Sequence, residues 1–126
     1  MPHKVLLVDD SRTMREVLKV YLMGRKYEFL EADNALAGIE LLKREKPAVV
    51  ILDFNMPKMD GLACIRRIRG LGPDVRDVPI ILVSSDKAED LEARSSDVTA
   101  NGFLHKPIEE ALLVEMVQRL VAARAP

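Results

Sequence analysis

The sequence predicts an α/β fold, a doubly wound parallel sheet with helices on both faces. Three observations predict it. Five short apolar runs alternate with helical patterns; the first, third and fourth runs are near-continuous Val, Ile and Leu, as strands buried on both faces are; and Gly, Pro and capping residues separate the segments. With 126 residues, 48% of them hydrophobic, the chain suits one domain, residues 1–126, around a sizeable core.

The elements follow in order. Residues 4–9 (KVLLVD) form the first strand and lead into a helix with Met14, Val17, Leu18, Tyr21 and Leu22 at helical spacing, capped by Ser11 and ended by Gly24. Residues 27–32 (YEFLEA) form the second strand, and Pro47 closes the helix after it. The third strand is 48–53 (AVVILD), and its helix stops at Gly70, Gly72 and Pro73. Residues 78–84 (VPIILVS) and 102–106 (GFLHK) are the fourth and fifth strands. The last helix should bury Leu112, Met116, Val117, Leu120 and Val121. The fourth helical segment, 86–101, differs from the others. Its apolar anchors are mainly Leu91 and Val98, and Ser95, Ser96, Asp97 and Thr99 stand where good helix formers are expected, so a short or mobile helix is expected there.

Nineteen Lys and Arg against twenty Asp and Glu give a formal net charge of -1, which removes the electrostatic argument for nonspecific nucleic-acid binding. The local run RRIR, residues 66–69, reads as a solvated helix face, with a docking surface for an acidic partner as the minor alternative. The single Cys64 excludes an internal disulfide and a thiolate metal cluster, and reads as a half-buried helix residue. No apolar run approaches the roughly 20 residues of a membrane span, and no signal peptide is apparent, so a soluble cytoplasmic protein is expected.

In a doubly wound sheet, ligands bind at the carboxyl ends of the strands. Those ends here carry Asp9 and Asp10, Asp53, Ser84 and Lys106. Taken alone, Asp9 and Asp10 fit a strand end and a helix-entry acid favoured by the macrodipole. Two carboxylates about 4 Å apart, however, repel by roughly 4 kcal/mol at an effective dielectric near 20, and they need a cation, a proton or solvent to coexist. A hard divalent cation suits an all-oxygen set, magnesium or manganese rather than zinc. Lys106 and Ser84 add an ammonium and a hydroxyl able to hold phosphoryl oxygens, and a carboxylate beside them can be a nucleophile toward phosphorus.

The segments VDDS, LDFNMPKMDGL, ILVSSD and FLHKP, in this order and spacing, resemble the receiver domain of two-component response regulators, and DDSRTMR looks most like the CheY-like, single-domain chemotaxis members. The resemblance implies a flavodoxin-like five-stranded sheet in the order 2-1-3-4-5 with five helices on two faces, an order known for the family. It implies that Asp53 accepts a phosphoryl group from a histidine kinase or histidine phosphotransfer domain. Magnesium or manganese would be held by Asp10, Asp53 and the backbone carbonyl of Asn55, with Asp9 acting through water. Lys106 would pair with the acceptor and then the phosphoryl group, Ser84 would be the switch hydroxyl, and Phe103 the aromatic that turns inward, although Phe103 alone also fits a static core residue. The side chains of Asn55 and Asp86 would set the rate of autodephosphorylation, the peptide before Pro107 would be cis, and Thr99 would stand at a turn-glycine position.

On this reading the chain is a phosphorylation-operated switch for a downstream protein target, catalysing only its own phosphorylation and dephosphorylation. Chemotaxis, a phosphorelay and a piece of a longer regulator all fit. Two alternatives remain: a receiver module that acts by protein contact without phosphorylation, and a small metal-dependent phosphatase working through an aspartyl phosphate.

Overall fold

The computed structural model describes residues 2–85 and 99–124. The expected fourth helix falls mostly on 86–98, outside the described residues, as does Asp86. The described elements, in chain order, are β1 (His3–Val8), α1 (Arg12–Leu22), β2 (Tyr27–Ala32), α2 (Ala35–Glu45), β3 (Val49–Asp53), α3 (Gly61–Arg69), β4 (Ile80–Ser84), β5 (Gly102–His105) and α4 (Glu110–Arg124). The five strands form one parallel sheet in the order β2-β1-β3-β4-β5, as the resemblance implies.

Local chemistry explains where the helices start and stop. Ser11 caps α1 by accepting from Met14 N–H, Asn34 caps α2 at Ala37, and Asp60 caps α3 at Ala63, each satisfying an otherwise orphaned amide. Lys46, with φ 48°, ends α2 just before Pro47, and Gly24, with φ 87°, follows α1.

The sheet's two faces build two halves of the core, because successive strand residues point to opposite sides. Leu6, Val8, Val50, Leu52, Ile80 and Leu82 face α2 and α3, meeting Ile39, Leu42, Ile65 and Ile68. Val5, Leu7, Val49, Ile51, Ile81 and Val83 face α1 and α4, meeting Leu18, Leu22, Leu113, Val117 and Val121. All five residues of β3 and all five of β4 are buried, which accounts for their unbroken apolar runs.

Two sequence expectations need correcting. Leu112 is 43% exposed, and the buried stripe of α4 is Leu113, Val114, Val117 and Val121, with Met116 and Leu120 at its margin. One helical position is about 100° of rotation, enough to carry Leu112 off the stripe. Cys64 is fully buried rather than half-buried, because it faces the layer between α3 and the sheet. No helix among the described residues is long and apolar enough to cross a membrane.

Candidate functional site

Three strand ends meet at the carboxyl edge of the sheet. β1 stops at Val8, and the next two residues turn toward α1: Asp9 is buried and Asp10 exposed. Asp9 is held from three directions. Its backbone N–H donates to Ala32 O, its carboxylate Oδ1 accepts from Ser11 N–H at 2.8 Å, and its carbonyl accepts from the Arg15 guanidinium. Arg15 is itself held by Glu31 at 2.9 Å, so the first turn of α1 and the end of β2 together fix the loop.

Asp53 ends β3 in the middle of the sheet and is 3% exposed. The loop beyond it folds back tightly: Phe54 N–H donates to Val83 O, and Gly61 N–H donates to Phe54 O at 2.9 Å. A Cβ on Gly61 would lie 2.8 Å from Phe54 Cα and 2.9 Å from Asp53 O, so no side chain fits there without moving the backbone of the Asp53 loop. Gly61 thus supports the Asp53 loop, a role not evident from its place in LDFNMPKMDGL. The available signal was a glycine directly behind the capping Asp60, where a helix former is otherwise favoured.

Carboxylate oxygens of Asp9, Asp10 and Asp53 lie within 4.8 Å of one another. Lys106, just beyond β5, brings its Nζ to 2.9 Å from Asp53 Oδ1. The contact is an ion pair rather than a directed hydrogen bond, since that buried oxygen has no hydrogen-bond donor among the described residues. Burial pushes the Asp53 carboxyl above the usual carboxylate range, with Asp10 adding to the rise and Lys106 and the Asn55 backbone N–H opposing it. Burial also pushes Asp9 up, opposed mainly by the Ser11 N–H and reinforced by Asp53.

The remaining sequence-predicted residues lie on β4, on and just after β5, and in the loop after β3. Ser84 ends β4 and is fully buried. Phe103 pairs in register with Leu82 and is partly buried against the α2–α3 side of the core. Asn55 is exposed in the loop after Asp53, and the Lys106–Pro107 peptide is cis. His105 is exposed at the end of β5.

The donor set fits a hard divalent cation. Three oxygen-bearing acids converge with no nitrogen or sulfur ligand among them, one buried oxygen lacks a directed donor, and Lys106 pairs with Asp53, leaving the three carboxylates in excess of its charge. A cation there would relieve both the repulsion and the unsatisfied oxygen. With such a cation bound, it and Lys106 would together supply the positive charge that an anionic group such as a phosphoryl needs at this sheet edge.

Fold and site thus define a receiver-type α/β domain with an acidic pocket, and comparison with known proteins gives the family. The response regulator receiver domain model matches residues 5–118, and the chain belongs to that family. It is 36% identical over 126 residues to the response regulator protein FleR of Pseudomonas aeruginosa, a match covering 100% of this chain and 26% of FleR. It is 36% identical over 119 residues to a chemotaxis protein CheY homolog of Campylobacter jejuni, covering 91% of this chain and 89% of that protein. The crystal structure of a putative response regulator from Chloroflexus aurantiacus superposes with a TM-score of 0.88 at 29% identity, covering 97% of this chain and 99% of that one. The chain spans 26% of the length of FleR and 54% of that of response regulator MprA of Mycobacterium sp.. CheY-like proteins, by contrast, match it over nearly their whole length.

Proposed function

We propose that this chain is a two-component signalling switch in which Asp53 accepts a phosphoryl group in a magnesium-dependent reaction. The observation that carries the reading is the convergence of Asp9, Asp10 and Asp53 within 4.8 Å, with Lys106 2.9 Å from the Asp53 carboxylate. The donor is a phosphohistidine on a kinase or phosphotransfer domain. A carboxylate oxygen of Asp53 attacks phosphorus, the bond from phosphorus to the donor imidazole breaks, and its electron pair leaves with the imidazole. An acyl phosphate on Asp53 results.

Magnesium would be held by Asp10, Asp53 and the Asn55 carbonyl, and when bound it supplies charge neutralisation for the phosphoryl oxygens. Asp9 would act through water, a role in keeping with a carboxylate whose Oδ1 is already engaged by Ser11. Lys106 exchanges part of its attraction to Asp53 for the incoming phosphoryl oxygens. The Ser84 hydroxyl donates to the modified group, and Phe103 follows it inward, biasing a two-state surface for a downstream protein target. Water attacking phosphorus breaks its bond to the Asp53 oxygen and releases inorganic phosphate, at a rate that the family resemblance ties to the side chain of Asn55 and to Asp86, which lies outside the described residues.

Incubation with a small acyl phosphate and magnesium, read by intact mass, tests this. The expected result is a gain of one phosphoryl group that is lost in Asp53→Asn and in the presence of excess chelator. No gain, or a gain that survives Asp53→Asn, overturns the reading and favours a receiver acting by contact alone.

A further inference from the structure

The Arg69 guanidinium, at the end of α3 and beside the entries to β4 and β5 rather than the strand ends that carry the acids, has every donor occupied. Nε and Nη2 donate to Thr99 O at 3.0 and 2.6 Å, Nη1 donates to Arg76 O and Val78 O at 2.7 Å each, and Nη2 also reaches Asn101 Oδ1 at 3.1 Å. Those are five contacts for the five N–H donors of a guanidinium. The acceptors belong to the two chain segments that enter β4 and β5. Asn101 completes the arrangement: its Oδ1 also accepts from Ile80 N–H at 2.9 Å, and its own N–H donates to Ile80 O at 2.8 Å.

Among the described residues, β5 is an edge strand of four residues paired with β4 alone. Its register places Phe103 opposite Leu82 and His105 opposite Ser84. A slip of one residue moves a strand by about 3.3 Å and turns every side chain to the other face. Such a slip would carry Lys106 away from an ion pair now 2.9 Å long, and Phe103 away from the α2–α3 layer. A short edge strand has little ladder of its own to resist this.

We infer that Arg69 and Asn101 form a register lock at the entry of β5, and that through it they position Lys106 against Asp53. The lock is a matter of geometry rather than of charge, because the five hydrogen bonds end on four neutral oxygens, Thr99 O accepting two of them, in a fork that suits a planar guanidinium; a lysine ammonium has three donors and no such plane. Arg69 and Asn101 are positioning residues, and their link to phosphoryl acceptance rests on the function proposed above.

The test uses the full chain with Asn101→Ala, Arg69→Lys and Asn101→Asp. Asp keeps an oxygen able to accept from both Ile80 N–H and Arg69, so it serves as the conservative rescue. Two readouts are taken: amide hydrogen exchange along β5, including the Lys106 N–H that donates to Ser84 O, and the rate of mass gain from a small acyl phosphate with magnesium. Asn101→Ala and Arg69→Lys are expected to speed β5 exchange at least tenfold relative to β1, and to slow phosphoryl gain about five- to tenfold. Asn101→Asp should stay within about twofold of the wild type on both. A general loss of stability would instead raise exchange in β1 and β5 alike, and that result overturns the lock. Faster β5 exchange with unchanged phosphoryl gain overturns the positioning of Lys106. A wild-type chain that gains no phosphoryl group overturns the proposed function together with that positioning, and the exchange measurement then still decides the lock.

Discussion

Neutralising Asp9 should stabilise the protein when no divalent cation is present. Asp9→Asn keeps an oxygen to accept the Ser11 N–H now donated to Oδ1 at 2.8 Å, so the loop retains its hydrogen bond while the charge is lost. Two unit charges 4.8 Å apart repel by roughly 3.5 kcal/mol at an effective dielectric near 20, and Asp9 stands within that distance of both Asp10 and Asp53. Exposure of Asp10 screens its share, and the variant also forfeits attraction to Lys106, so a net gain of about 1–2 kcal/mol is expected. In a domain of this size that raises Tm by roughly 4–8 °C. Thermal unfolding in chelator is the assay. Magnesium at a hundred times its Kd adds about 2.7 kcal/mol to the wild type, and less to a variant with a weakened site, so the gap should close as magnesium is added. A variant that melts below the wild type in chelator would refute the reasoning, because the acidic cluster would then be held together by something stronger than its repulsion.

The pH dependence follows from the same two groups. Asp9 and Asp53 both have carboxyls raised in the folded state, so the native chain binds more protons than the unfolded chain above the ordinary carboxylate pKa. Their contribution to stability is therefore present at acid pH and falls as pH rises through the raised native pKa; chelator-treated Asp53→Asn should show a flatter urea-unfolding profile over that interval. Gly61→Ala forces a Cβ to 2.8 Å from Phe54 Cα, and should cost about 1–3 kcal/mol in denaturant titrations as well as slow phosphoryl acceptance, by moving the Asp53 loop. Cys64, buried with its thiol pushed up to about 12, should resist alkylation at pH 8 in native buffer and react fully in denaturant; rapid native modification would contradict its burial.

Much of this was legible in the sequence because it is local. The unbroken apolar runs of β3 and β4, the Ser11 cap and the glycine after α1 depend on neighbours a few residues away, and they appear where the pattern put them. The strand order and the choice of Asp53 as the acceptor came from resemblance to a family, since neither follows from periodicity, whereas the capacity of Lys106 to hold phosphoryl oxygens follows from an ammonium at a strand end. Where the pattern was ambiguous, packing chose: in a run with Leu112 and Leu113 adjacent, only the approach of α4 to the sheet decides which one is buried.

By itself the sequence determined an α/β alternation, a single cysteine unable to form an internal disulfide, and a set of acids, a hydroxyl and a lysine at predicted strand ends. Only the tertiary structure decided that adjacent Asp9 and Asp10 differ, one buried and held by Ser11 and the other open to solvent. It also decided that Gly61 lies against the Asp53 backbone, and that Arg69 gathers oxygens from two distant entries to the sheet. The physical reason is the same in each case. Burial, close approach and the saturation of a guanidinium are properties of what surrounds a residue, and those surroundings are assembled from segments far apart in the chain.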